Sequence, residues 1–597
     1  MKKISIVLSF LMIIFVFFAC TPTQENEKQS SQNTMLNVIV IESEYFDLVD
    51  DSGDRVNESS FTVEKGGEMK FRLKLSEGFA IGNVHYKEYN LLYTSPTEAS
   101  LLISNIRQAV RIQIDCVPVS GFLKYDVNSG DLISGDTEYF YLPYDSTHHI
   151  RVNTSIGTDV IERVGYTQVG WNTKADGSGT HVGLGSRVSL NAETKTLYAE
   201  WQKWTETTKF VYTEIPLGIS LTGYEGNDEI VCIPEEINGK KVANIAAGCF
   251  QNMTATTVIL PKQLWSISDA AFENCHLKEL YLFDNISTIS DACFKNCANF
   301  STLYINAVKA PRYSDLDRHA NMPDKYDILI ENAHKKKIVV FGGSGPFLSI
   351  DTRWIQETYP EYIVINMAVN AYFNVESQID MILPYLNEGD LFIHVTESAS
   401  SEQFFDLFEM SDNRIFMAVE SNYDLFSHVD ISTIGKVFDT FNVYNTERDG
   451  KFAKTYNDYV DFIDELGNYA LKKVATGNNV ALSDEAVLNF DSLTSETAIA
   501  RRDLYYKKIE AKGVSVLLCN APVNRHALLE SDENYMESVM LFDEQYAKVS
   551  SRPILMTLEE CLYDGSVMFD SDYHLADEAT KEHSQKLAEK LAPYIYN

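Results

Sequence analysis

The chain of 597 residues sets 50 Lys and Arg against 85 Asp and Glu, a net charge of -35. Such a polyanion repels nucleic acid and anionic membrane surfaces, so nucleic acid is excluded as a partner. The length is that of several domains, and 45% hydrophobic residues supply material for several cores.

Lys2 and Lys3 precede an apolar run, Ile4 to Phe18, that is too short for a dedicated membrane-spanning helix and has the make-up of a signal peptide. The end of the run, Phe17-Phe18-Ala19-Cys20, resembles the bacterial lipobox. That resemblance implies that Cys20 is lipid-modified and becomes the mature N-terminus; the alternative is an ordinary signal peptide with an incidental cysteine. Thr21 to Thr34 is polar and lacks the hydrophobes needed to fold. The expectation is a signal peptide over 1–19, a lipidated tether over 20–35, and a protein exported and lipid-anchored at the bacterial cell surface, in the outer membrane or cell envelope. The membrane is thus a partner through Cys20. Export permits disulfides, yet eight further cysteines in so long a chain are no disulfide scaffold. No His/Cys set has zinc-ligand spacing, so no metal is expected, and no cofactor.

Residues 36–118 alternate apolar and polar positions in short runs, as in Met69-Lys70-Phe71-Arg72-Leu73-Lys74-Leu75, with turns such as Asp51-Ser52-Gly53-Asp54 between some of them. This is the pattern of an antiparallel, immunoglobulin-like sandwich, with a spacer as the expected role. In 119–203, the segments Tyr125-Asp126-Val127-Asn128-Ser129-Gly130, Gly165-Tyr166-Thr167-Gln168-Val169-Gly170-Trp171-Asn172 and Leu197-Tyr198-Ala199-Glu200-Trp201 resemble the Listeria-Bacteroides (internalin B-type) repeat. The resemblance implies a small β-grasp-like surface module, with Tyr166, Trp171, Tyr198 and Trp201 as its core.

Residues 204–312 contain a repeat. Phe250, Phe272 and Phe294 are 22 apart, as are Asn252, Asn274 and Asn296; so are Ile245, Ile267 and Ile289, and Leu260, Leu282 and Tyr304. Four columns in one register predict a short solenoid. Cys249, Cys275, Cys293 and Cys297 fall in the same frame as small buried residues, with disulfide linkage left open. Gly248-Cys249-Phe250-Gln251-Asn252, Ala271-Phe272-Glu273-Asn274-Cys275 and Cys293-Phe294-Lys295-Asn296-Cys297 resemble the BspA-type leucine-rich repeat, which implies a surface protein and often adhesion. A protein or glycan ligand on the repeats and a plain structural spacer both stand.

Residues 313–597 alternate strand and helix. Ile338-Val339-Val340-Phe341 ends in Gly342-Gly343-Ser344-Gly345; further apolar strands follow at Tyr362 to Met367, Leu391 to Val395 and within Val514 to Val523, whose terminal Asn520-Ala521-Pro522-Val523 is a loop. The pattern predicts a doubly wound parallel sheet of the flavodoxin-like kind, with its site at the carboxyl ends of the strands, where Ser344 falls. His574 precedes a capped helix that starts near Asp577. The acidic, aromatic stretch from about 401 to 500 predicts a helical insertion over the site.

This segment resembles the SGNH (GDSL-like) hydrolases: Gly343-Ser344 matches the nucleophile block after the first strand, and Asp570 with His574 matches the block before the last helix. The family's second-block glycine is replaced within Asn366-Met367-Ala368-Val369-Asn370, and Glu397-Ser398 stands where Gly-x-Asn-Asp is expected. The resemblance implies Ser344 as nucleophile, His574 as general base and Asp570 as its orienting carboxylate, with Asp572 the alternative. Backbone N–H groups near Ser344 and Gly345, with Asn370 as side-chain donor, would form the oxyanion hole. Two functions follow. One is a surface-anchored serine esterase acting on acyl, in particular acetyl, esters of carbohydrate. The other is a surface adhesin whose SGNH-like domain has lost catalysis.

Overall fold

The computed structural model describes residues 35–596 apart from 87–88, 96, 133–140, 146–151, 154–160, 189–194, 310–321, 370–374, 398–413, 421, 432–435, 449–462, 477–495 and 532. Cys20 and Asn370 therefore lie outside the described residues.

The first module packs two sheets face to face. One orders Ser60–Glu64, Met35–Val40 and Val110–Ile112; the other orders Phe46–Val49, Gly67–Leu75, Glu98–Ile106 and Tyr89–Ser95. Strand alternation sends Val38, Val40, Phe71, Leu73, Leu101 and Ile103 into one core between them. The sandwich is not wholly antiparallel, because Met35–Val40 runs parallel to Val110–Ile112. The expected boundary between 118 and 119 falls inside a single strand, Ile114–Asp126, which pairs with Phe79–Val84 on one side and continues into the next module beside Lys195–Lys203. In that second module Trp171 is fully buried against Tyr125, ring centroids 4.8 Å apart. Tyr166, Tyr198 and Trp201 are only half-buried, so the core rests on Trp171, Tyr125 and Leu197 rather than on the four expected aromatics.

The repeats form two parallel ladders, Ile230–Cys232, Thr257–Ile259, Glu279–Phe283 and Thr302–Asn306 on one side, and Lys240–Ile245, Ser266–Ile267 and Thr288–Ile289 on the other. Phe250, Phe272 and Phe294 stack at 4.9 and 5.2 Å along the interior. Asn252, Asn274 and Asn296 each turn the chain at φ of 62°, 59° and 61°, a left-handed conformation that asparagine tolerates better than other side chains. Three of the four columns keep their period. The fourth is corrected: Leu282 pairs with Ile305, 23 residues on, and Tyr304 stands beside Tyr281 at 4.2 Å. One extra residue before buried Phe300 is absorbed ahead of the last strand, and a one-residue slip moves a strand's side chains to the opposite face. All eight described cysteines are free thiols.

The C-terminal sheet contains β1 (Lys337–Gly342), β2 (Ile363–Asn366), β3 (Leu391–Thr396) and β4 (Ser515–Asn520), all parallel in the order β2-β1-β3-β4. Every residue of β1 and β3 is buried, which is why both read as unbroken apolar runs. Ile338 and Val340 face a layer with Ile355, Leu587 and Leu591, while Val339 and Phe341 face the other, with Ile379, Ile509 and Phe542. At the end of β1, Gly342 has φ +151°, and a Cβ there would stand 2.4 Å from the Val395 carbonyl oxygen. Gly342→Ala is expected to destabilise the chain by about 1–3 kcal/mol from backbone strain alone, with the clash added, read as a lower thermal transition.

The expected insertion divides. The helix Val437–Glu447 docks on the last repeat, where Asp291 accepts from Phe438 N at 2.8 Å and Asn442 bridges Ile289 in both directions. Its aromatics Phe438, Phe441 and Tyr444, with Tyr423 and Phe426, are buried in the core. The segment 463–476 instead braces the site from below.

Candidate functional site

β1 delivers the chain into a tight turn and the short helix α1 (Ser344–Ser349), with Gly343 as its N-cap at φ −85° and Ser344 half-buried at its start. The last long helix, α2 (Asp577–Ile595), packs against the same layer and sets the preceding loop, 569–576, across from α1. Its N-cap residue is Ala576, with no side-chain cap; the Asp577 carboxylate accepts from Lys473 N instead, which corrects the expected cap.

The two ends of the domain meet in one chain of hydrogen bonds. His574 Nε2 lies 3.0 Å from Ser344 Oγ, and His574 Nδ1 lies 2.5 Å from Asp570 Oδ1. The imidazole is 7% exposed and the Asp570 side chain 37%, so the ring is nearly dry while its carboxylate stays wetted. Asp572, the alternative carboxylate, is buried and accepts from Asn524 Nδ2 at 3.0 Å, so it fastens the 521–524 loop to the site. Ser344, His574 and Asp570 are thus brought together in the order that lets a hydroxyl pass its proton to an imidazole held by a carboxylate.

The oxyanion expectation is altered. Gly345 N–H, one expected donor, points to the Glu397 carboxylate, with Oε1 at 2.6 Å. Glu397 is 2% exposed and stands directly after β3.

Sequence reasoning missed the residues that hold the catalytic-type geometry in place. Ser349 Oγ donates to Tyr573 O and accepts from Leu575 N, both at 2.9 Å, and so brackets His574 from the helix that carries Ser344. Lys473 Nζ donates to Leu348 O and contacts Thr580 Oγ1 at 3.0 Å; burial pulls this ammonium down to about 8, against the pull of Asp577. Thr476 Oγ1 donates to Phe569 O at 2.6 Å. The wholly buried Lys325 donates to Asn366 O and Ala368 O at 2.9 and 2.6 Å beneath the loop that leads to residue 370, and burial carries it well below the ordinary lysine range. Only Glu397 left a sequence signal, as a carboxylate where the resembled family has another motif.

Comparison with known proteins characterises the repeats. Residues 234–311 match the model of the BspA type leucine rich repeat region in six copies. This segment is a BspA-type leucine-rich repeat array. A curated protein of Evansella cellulosilytica, named "Putative membrane protein", is 40% identical over 82 residues, 13% of this chain and 11% of that protein. The chain thus spans about a tenth of the length of that relative. The crystal structure of the T. pallidum leucine rich repeat protein aligns at 18% identity and a TM-score of 0.18, over 34% of this chain and 92% of that one. Among the described residues, no helix is long and apolar enough to cross a membrane.

Proposed function

We propose that this protein is an exported, surface-displayed serine esterase that removes acyl, in particular acetyl, groups from carbohydrate. The observation that supports it is the relay from Ser344 Oγ through both nitrogens of His574 to Asp570, at 3.0 and 2.5 Å, at the carboxyl edge of a parallel sheet. A serine hydroxyl is a weak nucleophile until a base takes its proton. In this reading Ser344 Oγ bonds to the ester carbon as its proton moves to His574 Nε2, and the carbonyl π pair moves onto oxygen. Collapse then breaks the bond to the leaving alkoxide, which takes that proton, and water releases the acyl group by the reverse transfers. Asp570 fixes the tautomer that leaves Nε2 free to accept. The SGNH-like assignment of residues 313–597, the lipid anchor at Cys20 and the donor role of Asn370 belong to the same proposal. A relative named as a membrane protein agrees with a surface address.

A second reading, a surface binding protein or adhesin with a silent hydrolase-like domain, is supported by the BspA-type array and by the carboxylate on Gly345 N–H. The decisive experiment is hydrolysis of p-nitrophenyl acetate and acetylated sugars by the purified chain, with fluorophosphonate labelling mapped by mass spectrometry. Labelling of Ser344 favours the esterase; a folded sample with neither label nor turnover favours the adhesin.

Ser349 provides a separate check on the geometry. Ser349→Ala leaves the Tyr573 carbonyl and the Leu575 N–H without their partner, at a cost of about 1–3 kcal/mol, and loosens His574. The expected result is a kcat lowered roughly 10- to 100-fold with KM little changed, because the substrate-binding surface is untouched while the base is misplaced.

A further inference from the structure

We propose that Glu397 is a specificity-determining residue that occupies the oxyanion position of the Ser344 site, so that the site favours esters carrying hydroxyl donors over simple esters. The inference rests on the esterase reading of Ser344.

Glu397 owes its place to the sheet. Phe341 pairs with His394 and Gly342 with Val395, so the residue just beyond β3 stands beside the turn that carries Ser344. Its Oε1 takes the Gly345 N–H at 2.6 Å, at the short end of charge-assisted hydrogen bonds, and at 2% exposure little water competes for either group. The approach is close because residue 345 is glycine: a Cβ there would lie 3.0 Å from Glu397 Oε1 and 3.1 Å from the Ala521 Cβ.

The turn has few donors to spare. Pro346 has no N–H, and Phe347 N–H returns to Gly343 O at 3.3 Å. Among the described residues of this turn, the main-chain groups that remain for a developing oxyanion are those of Ser344 and Gly345, and Gly345 is held by a carboxylate. A tetrahedral oxyanion would also place a second negative charge next to Glu397, which disfavours both. Use of Gly345 as an oxyanion donor therefore requires the carboxylate to release it.

Release costs a buried carboxylate one of its hydrogen bonds, and a new donor offsets that cost. A hydroxyl next to the scissile ester supplies one, as in a partly acetylated sugar. p-Nitrophenyl acetate has no such donor. The same contact that restrains the site thus selects its substrate.

The test uses the full-length chain and compares wild type, Glu397→Ala and Glu397→Gln on p-nitrophenyl acetate and on a mono-acetylated glucose. A fluorophosphonate reports Ser344 directly: Oγ bonds to phosphorus, fluoride leaves, and the hydroxyl proton goes to His574. Removing an oxyanion donor costs on the order of 100- to 1,000-fold in known hydrolases, so restoring one is expected to raise labelling and p-nitrophenyl acetate turnover in Glu397→Ala at least about 10-fold. Glu397→Gln, neutral but still an acceptor and close in shape, is expected to show a smaller rise. It also stands in if the alanine variant does not fold. The preference for the acetylated sugar over p-nitrophenyl acetate should fall in each variant in proportion to its rise in p-nitrophenyl acetate turnover. Unchanged labelling and unchanged preference in the variants would overturn the proposal while leaving Ser344 as nucleophile. Loss of labelling in folded Glu397 variants would also overturn it, by making the carboxylate part of the machinery. Failure of Ser344 to label in wild type and both variants would remove the esterase reading, and this proposal with it.

Discussion

On the proposed esterase reading, Ser344→Ala is expected to abolish both ester turnover and fluorophosphonate labelling, lowering kcat by at least about ten-thousand-fold while the thermal transition stays within about 1 °C of wild type. The small effect on stability follows from the surroundings: Ser344 is half-buried at the start of α1, whose hold on the domain runs through Gly345, Leu348 and Ser349. The large effect on turnover follows from chemistry, since among the described residues no other hydroxyl is hydrogen-bonded to His574 Nε2. His574→Ala should cost about as much, and the double variant little more, because nucleophile and base act as one unit. Asp570→Asn is expected to cost between about 100- and 10,000-fold, since the carboxylate is partly wetted and acts on the ring's tautomer rather than on substrate. Steady-state kinetics with mass mapping of the label reads all four. Full labelling of some other residue in Ser344→Ala would place the chemistry elsewhere.

The second large effect lies at the opposite edge of the sheet. Asp390 and Lys337 are both fully buried, with Lys337 Nζ 2.6 Å from Asp390 Oδ2. The carboxylate also accepts from Lys337 N at 2.9 Å and Asn387 N at 2.8 Å, so it ties the start of β1 to the turn that begins β3. Asp390→Ala strands a buried ammonium and two main-chain donors. The expected loss is about 3–5 kcal/mol, a drop of roughly 10 °C or more in the transition of this domain measured by scanning calorimetry. Lys337→Met combined with Asp390→Ala should recover a substantial part of that, because the penalty comes mostly from the unpaired charge. A drop below about 1 kcal/mol in Asp390→Ala would mean that water reaches the pair.

Which parts of this were readable in the chain has a physical pattern. β1 and its glycine-framed serine were legible because a strand buried on both faces must be apolar throughout and must end where a left-handed glycine lets it turn. His574 was legible because it precedes a helix whose inward residues recur at helical spacing. The link from Gly345 to Glu397 was not, because it depends on the β1–β3 register across 52 residues and on one carboxylate's depth. The bracket that Ser349 makes was equally hidden, since a serine inside a helix carries no sign of the loop it holds. The repeat period was plain in Phe250, Phe272 and Phe294, yet the offset at Tyr304 was not, because residue spacing does not say where an extra residue is absorbed.

The stacked phenylalanines of the array do not stop at its last turn. Phe294 passes the stack to Phe438, at 4.9 Å and 29°, and Phe300 lies parallel to the same ring at 6.0 Å. A solenoid with a free end gains or loses turns by duplication at little penalty, since each unit meets only its neighbours. Here the terminal ring is plugged by a helix of the following domain, so adding or deleting one 22-residue unit would pull Phe438 off its seat and drag Val437–Glu447 away from Phe416 and Tyr423. The repeat number of this protein is therefore locked by its neighbour.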